Sequence, residues 1–201
     1  MATTVPGVPD PIRFDNVVEN YRALQKTKPE FTFEYGLKSM LTIFTLHDFS
    51  MFHVLEEEFG TEKAVNLYAK IWKRRTDLEL PGLRAAVGLK PEDPMTMDKF
   101  AELMEIYFDT FGNPIYLAEK SDDRYTFRVT DCPYTTEVLW NMFSPAENLA
   151  YNDKIQVSCN TAIFDRFLEL TGLEKEWTFG FPSQLCRSGQ YCEFTFVRKQ
   201  F

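Results

Sequence analysis

Four cysteines and two histidines hold most of the nucleophilic and metal-binding capacity of this chain. Cys132, Cys159, Cys186 and Cys192 all fall after residue 130, while His47 and His53 lie together far upstream. A thiol acts as nucleophile or metal ligand only as the thiolate, so its position decides its chemistry. Cys159 immediately precedes the amphipathic run Asn160–Leu170. That places it at a predicted helix start, where unpaired N–H groups and the positive dipole end lower a thiol pKa. Cys159 is therefore the first choice of nucleophile, with Cys132 and His53 as candidate partners. Cys186 and Cys192 bracket a glycine turn, and Cys192 alternates with Phe194 and Phe196 on one strand face, which points it inward. Taken singly, each cysteine also reads as a small buried hydrophobe. No Cys-x-x-Cys pair is present, so neither a zinc ribbon nor a thioredoxin-type motif is indicated.

The histidines sit on one long predicted helix, separated by about 120° around its axis. They do not form the His-Glu-x-x-His zinc motif. Hydrogen-bonded histidines at a core edge are the plainer reading; the functional one makes one of them the acid or base opposite a cysteine. Glycine-rich phosphate loops and a Gly-x-Ser-x-Gly elbow are absent.

The elements that must position these groups follow from periodicity. Asp15–Gln25 reads as a short helix. Phe33–Phe59 reads as the longest, closed by Gly60, with Thr61 as N-cap of the next. Pro81-Gly82 marks a looser region, and Thr96 or Asp98 opens a third amphipathic helix. Beyond Gly112 the pattern turns to strands: Ile115–Ala118 and Arg124–Val129 as a hairpin, then Trp177–Phe181 and Tyr191–Val197, with short helices at Glu137–Phe143 and Asn160–Leu170 between. The fold class is α+β, N-terminal helices packed on an antiparallel sheet formed mainly by the C-terminal half. One domain spans 1–201: an extended lead-in over 1–13, a helical layer over 14–112, and the cysteine-bearing part over 113–201.

Composition narrows the partners. The 201 residues carry a formal net charge of -8, which disfavours phosphate backbones and anionic lipid. Hydrophobic residues make up 44%, including 19 Phe, enough to fill a core and still line an apolar cavity. No signal peptide and no run long enough to cross a membrane is read. The expectation is a cytoplasmic protein with reduced cysteines, a small-molecule substrate or ligand, no nucleic acid, no membrane, and room for a homo-oligomer.

The C-terminal half resembles the L-2-amino-thiazoline-4-carboxylic acid hydrolase-like family. The resemblance rests on Asp131-Cys132-Pro133, on Cys159 before a helix, on the ending Gly189-Gln190-Tyr191-Cys192-Glu193-Phe194-Thr195-Phe196, and upstream on Glu57–Ala64. The family pattern expects an acid three positions after the middle cysteine; this chain has Ala162, the nearest acid being Asp165. The resemblance implies a hydrolase of a non-peptide carbon–nitrogen bond in a small, cyclic amidine-type substrate, with a cysteine attacking the ring carbon. The same ending resembles 4-vinyl-reductase-type small-ligand-binding domains. That second resemblance implies a non-catalytic module for an aromatic or hydrocarbon ligand, with structural zinc on Cys159, Cys186 and Cys192; the acidic ligand of that pattern is Ser183 here.

Overall fold

Long stretches with few glycines and prolines become long helices. The structure, a computed structural model, describes residues 15–188 and 190–200, without the side chains of residues 15–17, 137 and 188. The expected lead-in over 1–13 and the turn at Gly189 lie outside the described residues. Helix α1 spans Asp15–Thr27 and α2 spans Phe33–Phe59. The Thr32 hydroxyl accepts from the Tyr35 amide at 3.1 Å and starts α2. Gly60, at φ 76°, ends it and also caps α3, Thr61–Ala86. That left-handed φ is open to glycine at little cost and lets two long helices meet at a single residue. Thr61 is thus not the N-cap but the first helical residue, and its hydroxyl donates to Glu56 Oε1 at 2.7 Å.

Helix α3 also runs straight through Pro81-Gly82, where a looser region is expected. A proline inside a helix costs about 3 kcal/mol. The buried neighbours Leu80 and Leu83 offset it, since burying each side chain stabilises by roughly 1.5–3 kcal/mol. The following loop is held by Arg84, whose guanidinium donates to the carbonyls of Lys90 (2.9 Å), Pro91 (3.3 Å) and Asp93. Thr96 then caps α4, Met97–Asp109, by accepting from the Lys99 amide.

Strands β1, Ile115–Lys120, and β2, Arg124–Val129, form the predicted hairpin. β3, Trp177–Ser183, and β4, Cys192–Arg198, complete an antiparallel sheet in the order β1-β2-β4-β3. The fold is α+β, as expected. Between β2 and β3 the chain makes a π-helical turn over Tyr134–Leu139, a short helix α5 at Trp140–Met142, and helix α6 at Pro145–Thr171. A one-turn helix α7, Leu185–Ser188, links β3 to β4.

Helix α6 is the main departure from expectation. It starts at Ser144, in a reciprocal capping box with Glu147 and with Pro145 at the first position, not at residue 160. The first half escapes an apolar periodicity search because its buried side includes amides. Asn152 Nδ2 donates to Asn148 Oδ1 at 2.6 Å, Gln156 to Asn152 at 2.8 Å, and Asn160 to Gln156 at 3.0 Å. Each rung satisfies a group whose burial would otherwise be costly.

Two apolar clusters result. One joins α4, the sheet and the second half of α6 through Phe100, Phe127, Phe164, Phe167 and Phe196. The other joins α2, α3 and the first half of α6 through Phe52, Tyr68, Leu139 and Tyr151. Trp72 packs against both. Among the described residues no helix is long and apolar enough to cross a membrane.

Candidate functional site

The two clusters do not close completely on each other, and a cavity of about 160 Å³ lies between them. Helix α2 contributes Leu41, Phe44 and Asp48, and α3 contributes Tyr68 and Trp72. Tyr107, Phe108 and Phe111 come from α4 and the turn after it. Helix α6 faces the cavity with Ile155, Gln156, Cys159, Asn160 and Ile163. Val129, Leu185 and Phe194 close the side nearest the sheet. The wall is predominantly apolar and aromatic, the usual character of a small-molecule site.

All four cysteines reach this wall, from four different places in the fold. Cys132 leads into the π-helical turn, where its carbonyl accepts from the amides of Thr135 and Thr136, both at 2.8 Å. Cys192 Sγ accepts from the Leu185 amide at 3.2 Å and points inward beside Phe194, as its strand face requires. Cys186 sits on the one-turn helix α7. Cys159 lies deep in the middle of α6 and is buried.

That position corrects the expectation of an activated Cys159. Its backbone amides are paired within the helix, and the helix start is more than ten residues away, so no dipole end acts on it. Burial, together with the nearby Asp48 charge, pushes its thiol well above the ordinary range. Burial likewise raises Cys132 and Cys186, and pushes Cys192 up to about 12. None is a ready thiolate at neutral pH.

His53 does not line the cavity. It stands beside the cavity's aromatic wall, near-parallel to Tyr151 with ring centroids 5.9 Å apart, and its Nδ1 lies 3.7 Å from Glu56. Its Nε2 is buried with no hydrogen-bond partner among the described residues. It is not brought against a cysteine in the way the acid–base expectation requires. The zinc reading of Cys159, Cys186 and Cys192 is also corrected: among the described residues no group of three or more His, Cys, Asp or Glu is placed to hold a metal ion.

The most polar part of the cavity is a cluster of Asp48 and three tyrosines, which no sequence motif announces. Asp48 is buried and accepts from the phenols of Tyr68 and of Tyr134, the latter at 2.9 Å. Tyr151 lies 3.0 Å from Tyr134 and 3.4 Å from Tyr68, oxygen to oxygen. Burial raises the Asp48 pKa, opposed by the two phenol hydrogen bonds and by the charges of Arg75 and His47. Tyr68 and Tyr134 are pushed upward as well, by burial and by the neighbouring carboxylate. One sequence signal could have found this cluster. Asp48 stands where an apolar residue belongs, on the inward stripe Leu41, Thr45, Asp48, Phe52. The three tyrosines come from α3, the π-helical turn and α6, and no local spacing connects them.

No protein-family model matches the chain, and no curated protein matches it. Among solved structures, the fold is similar to a trafficking protein particle complex subunit 3 from Naegleria fowleri, crystallised covalently bound to palmitic acid. The two share 14% identity and a TM-score of 0.53, over 82% of this chain and 98% of that one. At this identity the likeness establishes the fold. The hydrolase expectation is corrected with it: the solved structure of similar fold is a subunit of a trafficking complex, and the cysteine chosen as nucleophile lacks the setting that would activate it.

Proposed function

We propose that this chain is a non-catalytic, cytosolic subunit of a membrane-trafficking assembly, and that its cavity holds the end of a long acyl or alkyl chain. One observation carries the reading. The fold shared with a palmitate-bound subunit has, in this chain, an apolar cavity between its two core clusters. A dry cavity of about 150 Å³ takes a benzene-sized group. The space here is comparable, so it receives the head end of the chain and its first methylenes while the remainder runs outward. Burial of methylene groups supplies the affinity, at about 0.8 kcal/mol for each.

The outer face of α2 supports the assembly half of the proposal. Phe33, Leu37, Met40 and Ile43 are each at least 60% exposed, on a helix whose other side builds the core. A contiguous apolar surface of this kind is what another protein chain covers.

The test is chain binding measured by calorimetry and native mass spectrometry, with Cys159→Trp and Ile163→Trp filling the cavity. Palmitate or palmitoyl-CoA should bind the unmodified protein, and either tryptophan variant with retained circular dichroism should lose it. In the covalent case the cysteine sulfur takes the acyl carbon, and the CoA thiol leaves with the cysteine proton. A mass increase of one palmitoyl group then appears. Undiminished binding by both folded variants would mean that the chain sits elsewhere.

A further inference from the structure

The charge and hydrogen-bonding capacity of the cavity are lopsided. Asp48 is the only ionic side chain among its described lining residues. The phenols beside it have no proton left to give. Each tyrosine has one. Those of Tyr68 and Tyr134 go to Asp48 Oδ2. The Tyr134 oxygen then accepts at 3.0 Å, so its donor is Tyr151. Within this cluster, what remains is an acceptor. Both described hydrogen bonds at Asp48 fall on Oδ2, and none falls on Oδ1 among the described residues.

The cations whose charge reaches Asp48 are Arg75 and His47. Arg75 is turned mainly to other partners, and its Nη1 is buried without a hydrogen-bond partner among the described residues. It donates to Glu79 at 2.6 Å and lies 4.7 Å over the rings of both Trp72 and Phe111.

We infer that the cavity prefers a chain ending in a hydrogen-bond-donating cation, a long-chain primary amine or amino alcohol with its ammonium on Asp48, to a free fatty acid. The inference rests on the hydrocarbon-chain reading above and adds the headgroup to it. An ammonium supplies a donor for Oδ1 and a cation in direct contact with the carboxylate, which Arg75 and His47 reach only through space. A free carboxylate meets a like charge and finds no spare phenol proton. Because burial raises the Asp48 pKa, docking of an ammonium also releases a proton from whatever fraction of Asp48 is protonated.

The experiment compares dodecylamine, dodecanol and laurate, each below its micellar concentration, by calorimetry on the full chain at pH 7. The expected order is amine, alcohol, carboxylate, with amine over laurate by about tenfold or more, the size of one charge-assisted hydrogen bond. Asp48→Asn should bring the amine to within about threefold of the alcohol, since the ionic part of the interaction is gone. Repeating the amine titration in two buffers of different ionisation enthalpy should reveal proton release. Laurate binding as tightly as the amine overturns the headgroup inference and leaves the chain reading standing. Failure of all three to bind overturns both. Should Asp48→Asn not fold, the order measured on the unmodified protein still decides.

Discussion

The phenol of Tyr134 donates to Asp48 at 2.9 Å across 86 residues of sequence. The contact ties the π-helical turn to the middle of α2 at the wall of the cavity. A hydrogen bond to a buried charged group contributes about 1.5–3 kcal/mol. Tyr134→Phe should lower the unfolding free energy in urea by that amount without changing the slope. A loss below about 0.5 kcal/mol would mean that water replaces the phenol at no cost.

The pH dependence of stability separates Asp48 from the other acids. Its folded pKa lies above its ordinary value of 3.8, so the folded state binds its proton more tightly than the unfolded state does. The associated stability is complete below 3.8 and is lost as the pH rises through the folded pKa. Other carboxylates oppose this trend: hydrogen bonding from Lys154 holds Glu56 down, and from Arg166 holds Asp77 down. The comparison must therefore be differential. Between pH 4 and 8 the unmodified protein should lose stability relative to Asp48→Asn, and parallel pH profiles would contradict the shift.

Cysteine reactivity gives a third measurement. Burial raises all four thiol pKa values, so at pH 7 each should alkylate with iodoacetamide more slowly than a free thiol, with Cys159 slowest. All four line the cavity, so a bound chain should slow them together. Peptide-resolved labelling with and without dodecylamine reads both effects. Fast labelling of Cys159 would restore the activated thiolate that its mid-helix position removes.

Self-association should follow the exposed face of α2. Leu37 and Ile43 are exposed among the described residues, so sedimentation of the isolated chain should depend on concentration. Leu37→Glu with Ile43→Glu should remove that dependence and leave the melting temperature within a few degrees, because both side chains are exposed. A concentration-independent unmodified chain would argue against an apolar interface there.

What the sequence discloses depends on how local the determinant is. Helix α2 runs over Phe33–Phe59 as its spacing implies, since its stripe and the Gly60 terminator are both local signals. The inward face of Cys192 follows from strand alternation alone. The start of α6 is missed because Asn148 and Asn152 are buried by bonding to each other along the helix, a satisfaction that a hydropathy pattern scores as exposure. Pro81 misleads in the opposite direction, because the packing of Leu80 and Leu83 outweighs a local penalty. Four cysteines on one cavity wall and three tyrosines around Asp48 are products of tertiary assembly, joining segments as distant as residues 48 and 151.

The amide ladder of α6 divides one continuous helix into two kinetic provinces. From Ile163 to Leu168 the helix is moored in the phenylalanine cluster, where opening must expose large rings to water. From Asn148 to Gln156 part of its inner side is held by rungs that water can replace one at a time. Deuterium should therefore enter the backbone amides of the first half well before those of the second.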